Sequence, residues 1–599
     1  MITIDFETDA IGDRPEDYPP KPVGIGIKMN SGLGLYYGFG HPTENNCTED
    51  EAKQALENAL GCYQKVICQN GKFDHDVAEV HWGIKFPKWK NAEDTQFLLY
   101  LYDPHSRSLK LKESAERILD WPPEEQDRLK AWIMANVREA KLSDWGAYIG
   151  KSPGGLCGEY CVGDIDRTYA LFQHLYPYIC NEGMDEPYQR EKKLMPVMLK
   201  MEREGIRVNR EALKADIALI TPAFEETDER LSTMLGMDPS EMGSRQKLAH
   251  AILSRGYADT LPRTDKGNYK TDAATLLEYV THPQLLPLLA YRGAIKTCLG
   301  TFMSPWEIQS RADSRLHGTW HQTRGEEAKG GTRTGRPSCA HPNLMNIPKP
   351  FDRELPEGMP PIPLMREYLL PERGHVWLKR DYSAQEVRVL AHFEDGVLMH
   401  QFIDDPAFDP HQYAADQILA LTGHVMSRDD VKRIVFSVLY GSGVTALSVS
   451  LGVDYNNGKM FKELYMAAMP GVSELTNNIK SKGKAGLGVR TVGGRVIFAE
   501  NHGGRDWSYK LLNHLIQGSA ADVTKQGMIN YDKVKHPEAR ILAAVYDENN
   551  VSVPEADWEE ESLVLDKAMC DVPLDVPLTT DYYIGRNWYD ADNHKEGTI

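Results

Sequence analysis

Three groups of residues carry most of the chemistry available to this sequence. In the C-terminal half, the segment DYSAQEVR, Asp381 to Arg388, follows an apolar strand, and far downstream ILAAVYDENNVSVP carries Asp547 and Glu548 on what reads as one strand, between two apolar arms. Carboxylates at strand ends form a two-metal site when a sheet brings them together, because each Mg²⁺ takes hard oxygen ligands and keeps positions open for phosphate and water. Taken alone, either aspartate is an ordinary turn residue. Between the two segments lies RDDVKRIVFSVLYG, in which Arg428, Lys432, Phe436 and Tyr440 recur at i+4 steps. Four helical residues advance about 400°, so these side chains form one slowly winding stripe of two cations followed by two aromatics. An amphipathic helix with a basic end would look the same. Beside the acids, the stripe can also grip a triphosphate with Arg428 and Lys432 and set an aromatic against base and sugar.

The third group is N-terminal. MITIDFETDA supplies Asp5 and Glu7, NGKFDHDV supplies Asp74, and YCVGD supplies Tyr160 and Asp164 at the i, i+4 spacing that shares a helical face. Four carboxylates can hold two metals that activate a water and stabilise a leaving 3′-oxygen, while a tyrosine hydroxyl orients the water. Singly, each of these acids is a solvated surface residue.

The elements that would position these groups can be read from periodicity. Ile2, Ile4 and Phe6 alternate with Thr3, Asp5 and Glu7, the pattern of a half-buried strand with both acids on one face. Val23, Ile25 and Ile27 alternate, Asn30-Ser31-Gly32 can turn, and Leu33, Leu35, Tyr37 and Phe39 alternate again, which predicts a hairpin. Helical patterns run from Glu49 to about Leu60 and from about residue 93 to 180. A long amphipathic pattern from Tyr188 to Trp306 predicts two or more long helices with a small tip, Gly205 acting as a stop signal. The Gly- and charge-rich stretch 325–336 separates this region from the next. Prolines 356, 360, 361, 363 and 371 then interrupt the chain before a strand, His375 to Lys379, that leads into Asp381.

Composition sets outer bounds. A length of 599 residues implies three to five domains at roughly 100–200 residues each. With 41% hydrophobic and 26% charged residues, the chain has the balance of a folded globular protein. No run of 18 apolar residues exists and Asp5, Glu7 and Asp9 sit where a signal peptide needs apolar residues, so neither membrane insertion nor secretion is expected. Nine scattered cysteines fit a reducing compartment; Cys157, Cys161 and Cys180 lack a fourth zinc ligand and read as buried thiols. The net charge of -19 opposes a polyanionic partner at face value, but residues 188–336 carry a small basic excess.

The three C-terminal segments resemble motifs A, B and C of the family A DNA polymerases, those similar to bacterial DNA polymerase I. TRTGRPSCAHPNLMNIP (332–348) resembles the family's palm–thumb junction, HLIQGSAADVTK (514–525) its palm helix, VPLTTDYYIGRNW (576–588) its C-terminal signature, and EKKLMPVMLKMEREGIRV the start of its thumb. The N-terminal acids, in this order and with Tyr160, resemble the 3′–5′ proofreading exonuclease of the same enzymes. The resemblance implies a multidomain α/β and α+β fold. An RNase H-like exonuclease domain at 1–187 would precede a right-hand polymerase with thumb 188–330, palm 331–395 and 510–599, and fingers 396–509.

It also implies roles. Asp381, Asp547 and the Tyr382 carbonyl would hold two Mg²⁺, with Mn²⁺ able to substitute, and Glu548 would support them. Arg428, Lys432 and His411 would hold the dNTP, Lys432 as general acid toward pyrophosphate; Glu386 would be the steric gate against a ribose 2′-hydroxyl. Phe436 would face the sugar and Tyr440 the templating position. Arg336, Asn513 and Gln517 would contact primer-template DNA. In the exonuclease, Asp5, Glu7, Asp74 and Asp164 would bind two further metals beside Tyr160. The sequence departs from the pattern at Tyr546, where motif C has histidine, at Ala384-Gln385, and at Tyr509, where an arginine is usual. A single-subunit RNA polymerase is opposed by Glu386 and the proofreading acids, and an inactive DNA-binding scaffold by the retained carboxylates. The chain opens at the exonuclease strand, which leaves no place for a 5′-nuclease domain and makes a bacteriophage replicative polymerase, monomeric and acting in the host cytoplasm, the expected source.

Overall fold

The computed structural model describes residues 1–85, 88–324, 331–500 and 506–593. Residues 325–330 of the Gly- and charge-rich stretch, and the last six residues, lie outside the described residues. The chain folds as two compact units. One comprises Met1–Glu204, Thr319–Ala340 and Leu378–Tyr582; the other comprises Gly205–Gly318, His341–Trp377 and the chain from Tyr583 onward.

The first unit opens on the alternating strand Ile2–Thr8, which lies in the middle of a five-stranded sheet. The order is Gly34–Gly38, Pro22–Met29, Ile2–Thr8, Val66–Cys68, Ala92–Asp94. Its neighbours are antiparallel Pro22–Met29 and parallel Val66–Cys68. The hairpin expected around Asn30 is present, with Asn30 in the left-handed region at φ 48°. The half-buried reading of the first strand needs correction, since Thr3 and Glu7 are buried along with Ile2, Ile4 and Phe6. Trp82 packs edge-on to Phe6 on one face, and helix Gly154–Asn181 covers the other, where the Cys161 thiol reaches the Asp5 carbonyl. Helix Glu49–Cys62 starts where the sequence places it, closed by a capping box between Thr48 and Glu51. Of the three cysteines considered together, Cys157 and Cys161 are buried but Cys180 is exposed, so only two are core thiols.

A second sheet in the order Arg540–Val545, Glu548–Pro554, His375–Tyr382, Thr580–Gly585 carries the C-terminal acids. The single strand expected around Asp547 is two, paired antiparallel with Val545 opposite Glu548. A two-residue connection needs positive φ in the turn, and Tyr546 supplies it at φ 57°. Helix Arg428–Leu439 begins at Ser427, whose hydroxyl accepts from the Asp430 amide at 3.1 Å, and ends with Tyr440 as its C-cap. Its apolar face, Val431, Ile434, Val435 and Val438, shares a core with Leu511, Leu512, Leu515 and Ile516 of helix Leu511–Val534.

Helix Asp185–Glu204 belongs to this unit and exchanges buried charges with Leu511–Val534. Glu191 meets Lys525 at 2.5 Å with both side chains fully enclosed, and Arg190 meets Asp522 at 2.9 Å. Asp522 also receives Arg495 at 2.8 Å, and Arg495 in turn donates to the Tyr100 hydroxyl at 2.7 Å.

The second unit contains the long helix Arg210–Leu235, stopped by Gly236 in the left-handed region at φ 64°. Its C-terminal half packs with helices Arg245–Ser254 and Leu285–Thr297 through Leu231, Leu235, Ala249, Ile252, Leu285 and Leu288. Gly205 ends the preceding helix as expected, with φ 60°. Trp377 and Trp588 stack at 5.1 Å in the same unit.

The Glu191–Lys525 pair yields a prediction. Lys525→Met leaves a carboxylate buried with only the Gln322 amide, 2.9 Å away, as its side-chain donor among the described residues, so unfolding free energy should fall by about 3–5 kcal/mol. Adding Glu191→Leu should restore most of it, because two apolar side chains need no counter-charge. Chemical denaturation of the two variants checks this; equal stability of single and double variants would contradict it.

Candidate functional site

The larger of the two sites lies in the first unit. A cleft of about 870 Å³ is lined by Arg336, Glu386, His411, Arg428, Lys432, Phe436, Tyr440, Tyr546 and Asp547, among others. Asp381 lies on the strand beside that of Glu548, and the Tyr382 amide donates to the Asp547 carbonyl at 3.2 Å. The acids that sequence places far apart are therefore brought together across neighbouring strands. Burial, then Asp547 and Glu548, push the Asp381 carboxyl up to about 7, and burial also raises Asp547. Lys379 pairs with Glu548 at 3.1 Å.

On the facing helix the stripe forms as expected. Phe436 and Tyr440 lie 5.7 Å apart between ring centres, and His411 lies 6.2 Å from Phe436. His411 is buried beneath Arg428 and Lys432; burial first, opposed by Asp409 but aided by those two cations, holds its pKa down at about 4. Arg428 pairs with Asp409 at 2.5 Å. Glu386 is ion-paired to Arg336, and the Tyr440 hydroxyl lies beside its carboxylate. The Tyr382 side chain turns into the core, donating to the Met569 carbonyl at 2.8 Å, so only its main chain is available to the site. Asn513 and Gln517 are one turn apart on a half-buried face of helix Leu511–Val534 and do not line the cleft.

The N-terminal acids also converge. A cleft of about 760 Å³ is lined by Asp5, Glu7, Asp74, Lys112, Tyr160 and Asp164 with other residues. The Phe6 amide donates to Asp74 at 2.9 Å, which fixes Asp74 against the first strand. Burial and neighbouring acids push Asp5 well above the usual carboxylate range, and burial with Asp164 raises Glu7 to about 8.

Lys112 was missed by sequence reasoning. It pairs with Asp164 at 2.5 Å and lies 3.8 Å from the centre of the Tyr160 ring. A lysine in LKLKES carries no local signal, because only the fold turns that helix toward the acids. Arg388 was missed as well. It donates to the carbonyls of Ser383, Pro406 and Pro577 and to the Thr579 hydroxyl, tying the segment after Asp381 to its surroundings.

Both acid clusters fit divalent cations. Asp381 Oδ1, Glu7 Oε1 and Asp164 Oδ1 are buried without a hydrogen-bond partner among the described residues. Their carboxylate oxygens suit Mg²⁺ or Mn²⁺, and in the N-terminal cluster the buried Cys161 sulfur also lies within 4.8 Å of the Asp5 and Glu7 ligand atoms.

Acids on adjacent strands opposite a cationic helix across an open cleft are the arrangement that the resemblance to a right-hand polymerase implies. The sequence model described as DNA polymerase family A matches residues 210–590. The chain belongs to that family. It is 26% identical to DNA polymerase DpoZ of Salmonella phage PMBT28 over 98% of this chain and 97% of that protein. It is 29% identical to the thermostable DNA polymerase I of Thermus filiformis, over 72% of this chain but 52% of that protein. The chain thus spans nearly the whole of the phage relative and about half the length of the bacterial one. Its fold matches the polymerase domain of Pol1 from M. smegmatis, solved with DNA primer-template and dNTP, at a TM-score of 0.74 and 22% identity, over 99% of this chain and 96% of that one. DNA polymerases of this family use divalent metal ions. No helix among the described residues is long and apolar enough to cross a membrane.

The raised Asp381 pKa has a testable sign. The folded protein keeps a proton that the unfolded chain releases near its ordinary 3.8, so this group lowers the stability of metal-free protein as pH rises toward about 7. In chelator, Asp381→Asn should therefore melt above wild type at pH 8, by at least about 2 °C. The gap should narrow toward pH 5. Parallel melting curves at all pH values would contradict the electrostatic crowding.

Proposed function

We propose that this DNA polymerase extends a primer 3′-hydroxyl with dNTPs under template direction, proofreads with a 3′–5′ exonuclease, and replicates phage DNA in the host cytoplasm as a monomer. The exonuclease would be residues 1–187, the thumb 188–330, the palm 331–395 and 510–599, and the fingers 396–509. The observation that carries this reading is Asp547 lining one cleft with the Arg428–Lys432 stripe, with Asp381 close enough on the adjoining sheet for its carboxyl to feel Asp547 and Glu548.

In the polymerase reaction the primer 3′-oxygen bonds to the α-phosphorus and pyrophosphate leaves. Two divalent ions on Asp381, Asp547 and the Tyr382 carbonyl would supply charge neutralisation there. Arg428 holds the triphosphate after exchanging Asp409 for phosphate oxygens. His411, neutral because of its burial, contributes an N–H rather than a charge. Lys432 gives a proton to the departing pyrophosphate. Glu386 occupies the space a ribose 2′-hydroxyl would need, Tyr440 stacks at the templating position, and Arg336, Asn513 and Gln517 contact primer and template.

In the exonuclease, Asp5, Glu7, Asp74 and Asp164 would hold the ions, which would supply charge neutralisation, and Tyr160 would orient the attacking water. Lys112, hydrogen-bonded to Asp164, adds a positive charge beside the scissile phosphate.

Two experiments test the reading. Asp5→Ala with Glu7→Ala should abolish degradation of single-stranded 3′ ends and leave primer extension nearly intact; loss of both activities in a folded protein would overturn the division of labour. In that exonuclease-deficient background, Phe436→Tyr should raise dideoxynucleotide termination by at least about tenfold, equivalent to about 1.4 kcal/mol, with little change in the dNTP rate. Phe436 lacks the hydroxyl that would replace a missing 3′-hydroxyl. Equal termination by both proteins would mean that Phe436 does not face the sugar.

A further inference from the structure

His105, Glu500 and His514 lie outside both clefts, are buried, and have one potential ligand atom each within 4.8 Å of the others. His105 Nδ1 and His514 Nε2 each stand 3.8 Å from Glu500 Oε1, and the two rings are 4.7 Å apart. His105 Nε2 is 3.0 Å from the Phe498 carbonyl, which can only accept, so this nitrogen bears the ring proton. In a neutral ring that leaves the Nδ1 lone pair facing a carboxylate oxygen. Nδ1 of His105 and Nδ1 of His514 have no hydrogen-bond partner among the described residues.

Arg333 already serves Glu500 Oε1 at 3.0 Å, but the buried His105 Nδ1 lone pair has no donor among the described residues, and a metal ion shared with Glu500 and His514 would take up that lone pair. Asp103 is the other acid facing His105.

We infer that His105, Glu500 and His514 form a binding site for one zinc-type divalent transition-metal ion. Two imidazoles and a carboxylate with water in the fourth position is a zinc ligand set, and the Phe498 carbonyl is the outer partner that fixes the His105 tautomer. Tetrahedral Zn²⁺ with bonds of about 2.0–2.2 Å holds its ligands roughly 3.3 Å apart, so each imidazole nitrogen, now 3.8 Å from Glu500 Oε1, would close on the carboxylate by about half an ångström. Arg333, now 3.0 Å from Glu500 Oε1, would shift to the other carboxylate oxygen. The ion would tie the loop after helix Thr95–Tyr102 to helix Leu511–Val534, next to Asn513. It would be a structural cross-link, held by imidazoles that neither acid cluster contains.

The test is titration of the purified full chain with Zn²⁺ against a chromogenic chelator, in excess Mg²⁺ as competitor for the carboxylate clusters, with the histidine variants identifying the zinc held at this site. Wild type should bind one equivalent and melt higher when loaded. His105→Gln, Glu500→Gln and His514→Gln should each weaken binding at least about tenfold. X-ray absorption of zinc-loaded wild type, which needs no variant, should find two imidazoles on the metal. No zinc retained under Mg²⁺, retention unchanged in folded His514→Gln and His105→Gln, or a spectrum without imidazole ligands would each overturn the inference.

Discussion

Carboxylates gathered without enough cations repel one another, and burial makes each harder to ionise. Two sets of such acids are what the rest of the first unit must hold in place. Asp381, Asp547 and Glu548 would swing apart if they sat on loops; instead they are fixed at the ends and turn of adjacent strands. Asp5 and Glu7 lie on a strand hydrogen-bonded on both edges, and the Phe6 amide pins Asp74 against it. Lys379 and Lys112 each offset one carboxylate and leave other oxygens buried without a partner. A divalent ion that accepts several hard oxygens satisfies what a single ammonium does not.

Rigidity of that kind needs support beyond the strands, and helices Asp185–Glu204 and Leu511–Val534 supply it. Asp522 accepts from Arg495 and from the Thr491 hydroxyl at 2.6 Å and pairs with Arg190, while Lys192 of the same helix pairs with Glu93 at 2.9 Å. Buried pairs like these add less to net stability than to uniqueness, because each is penalised heavily when its partner moves. The two acid sites therefore sit on one compact unit whose internal register is fixed by charge as well as by apolar packing.

Much of this was legible in the sequence for a physical reason: period-2 and period-4 patterns are local. The first strand, its hairpin, the capped helix at Glu49 and the Arg428 stripe all appear where the patterns place them. What the patterns could not reveal is which faces are covered. Thr3 and Glu7 are buried because helix Gly154–Asn181 lies over them, and that depends on chain more than a hundred residues away. The Val545/Glu548 hairpin was hidden because its turn uses Tyr546 and Asp547 rather than Gly or Asn. Lys112, and the grouping of His105 with Glu500 and His514, are meetings of distant segments with no spacing to announce them.

The same distinction bears on sugar selection. A glutamate has enough rotamers to move aside for a small hydroxyl, so its presence alone makes a poor gate. Here Glu386 is buried, ion-paired to Arg336, and flanked by the Tyr440 hydroxyl. Arg336 is itself within 5.9 Å of the Tyr546 ring, the residue that replaces the histidine of motif C. Moving Glu386 would break a buried ion pair and strand a guanidinium, a far larger loss than a displaced surface side chain. On the proposed reading, discrimination against a 2′-hydroxyl is set less by the bulk of Glu386 than by the stiffness that Arg336 and Tyr440 impose on it.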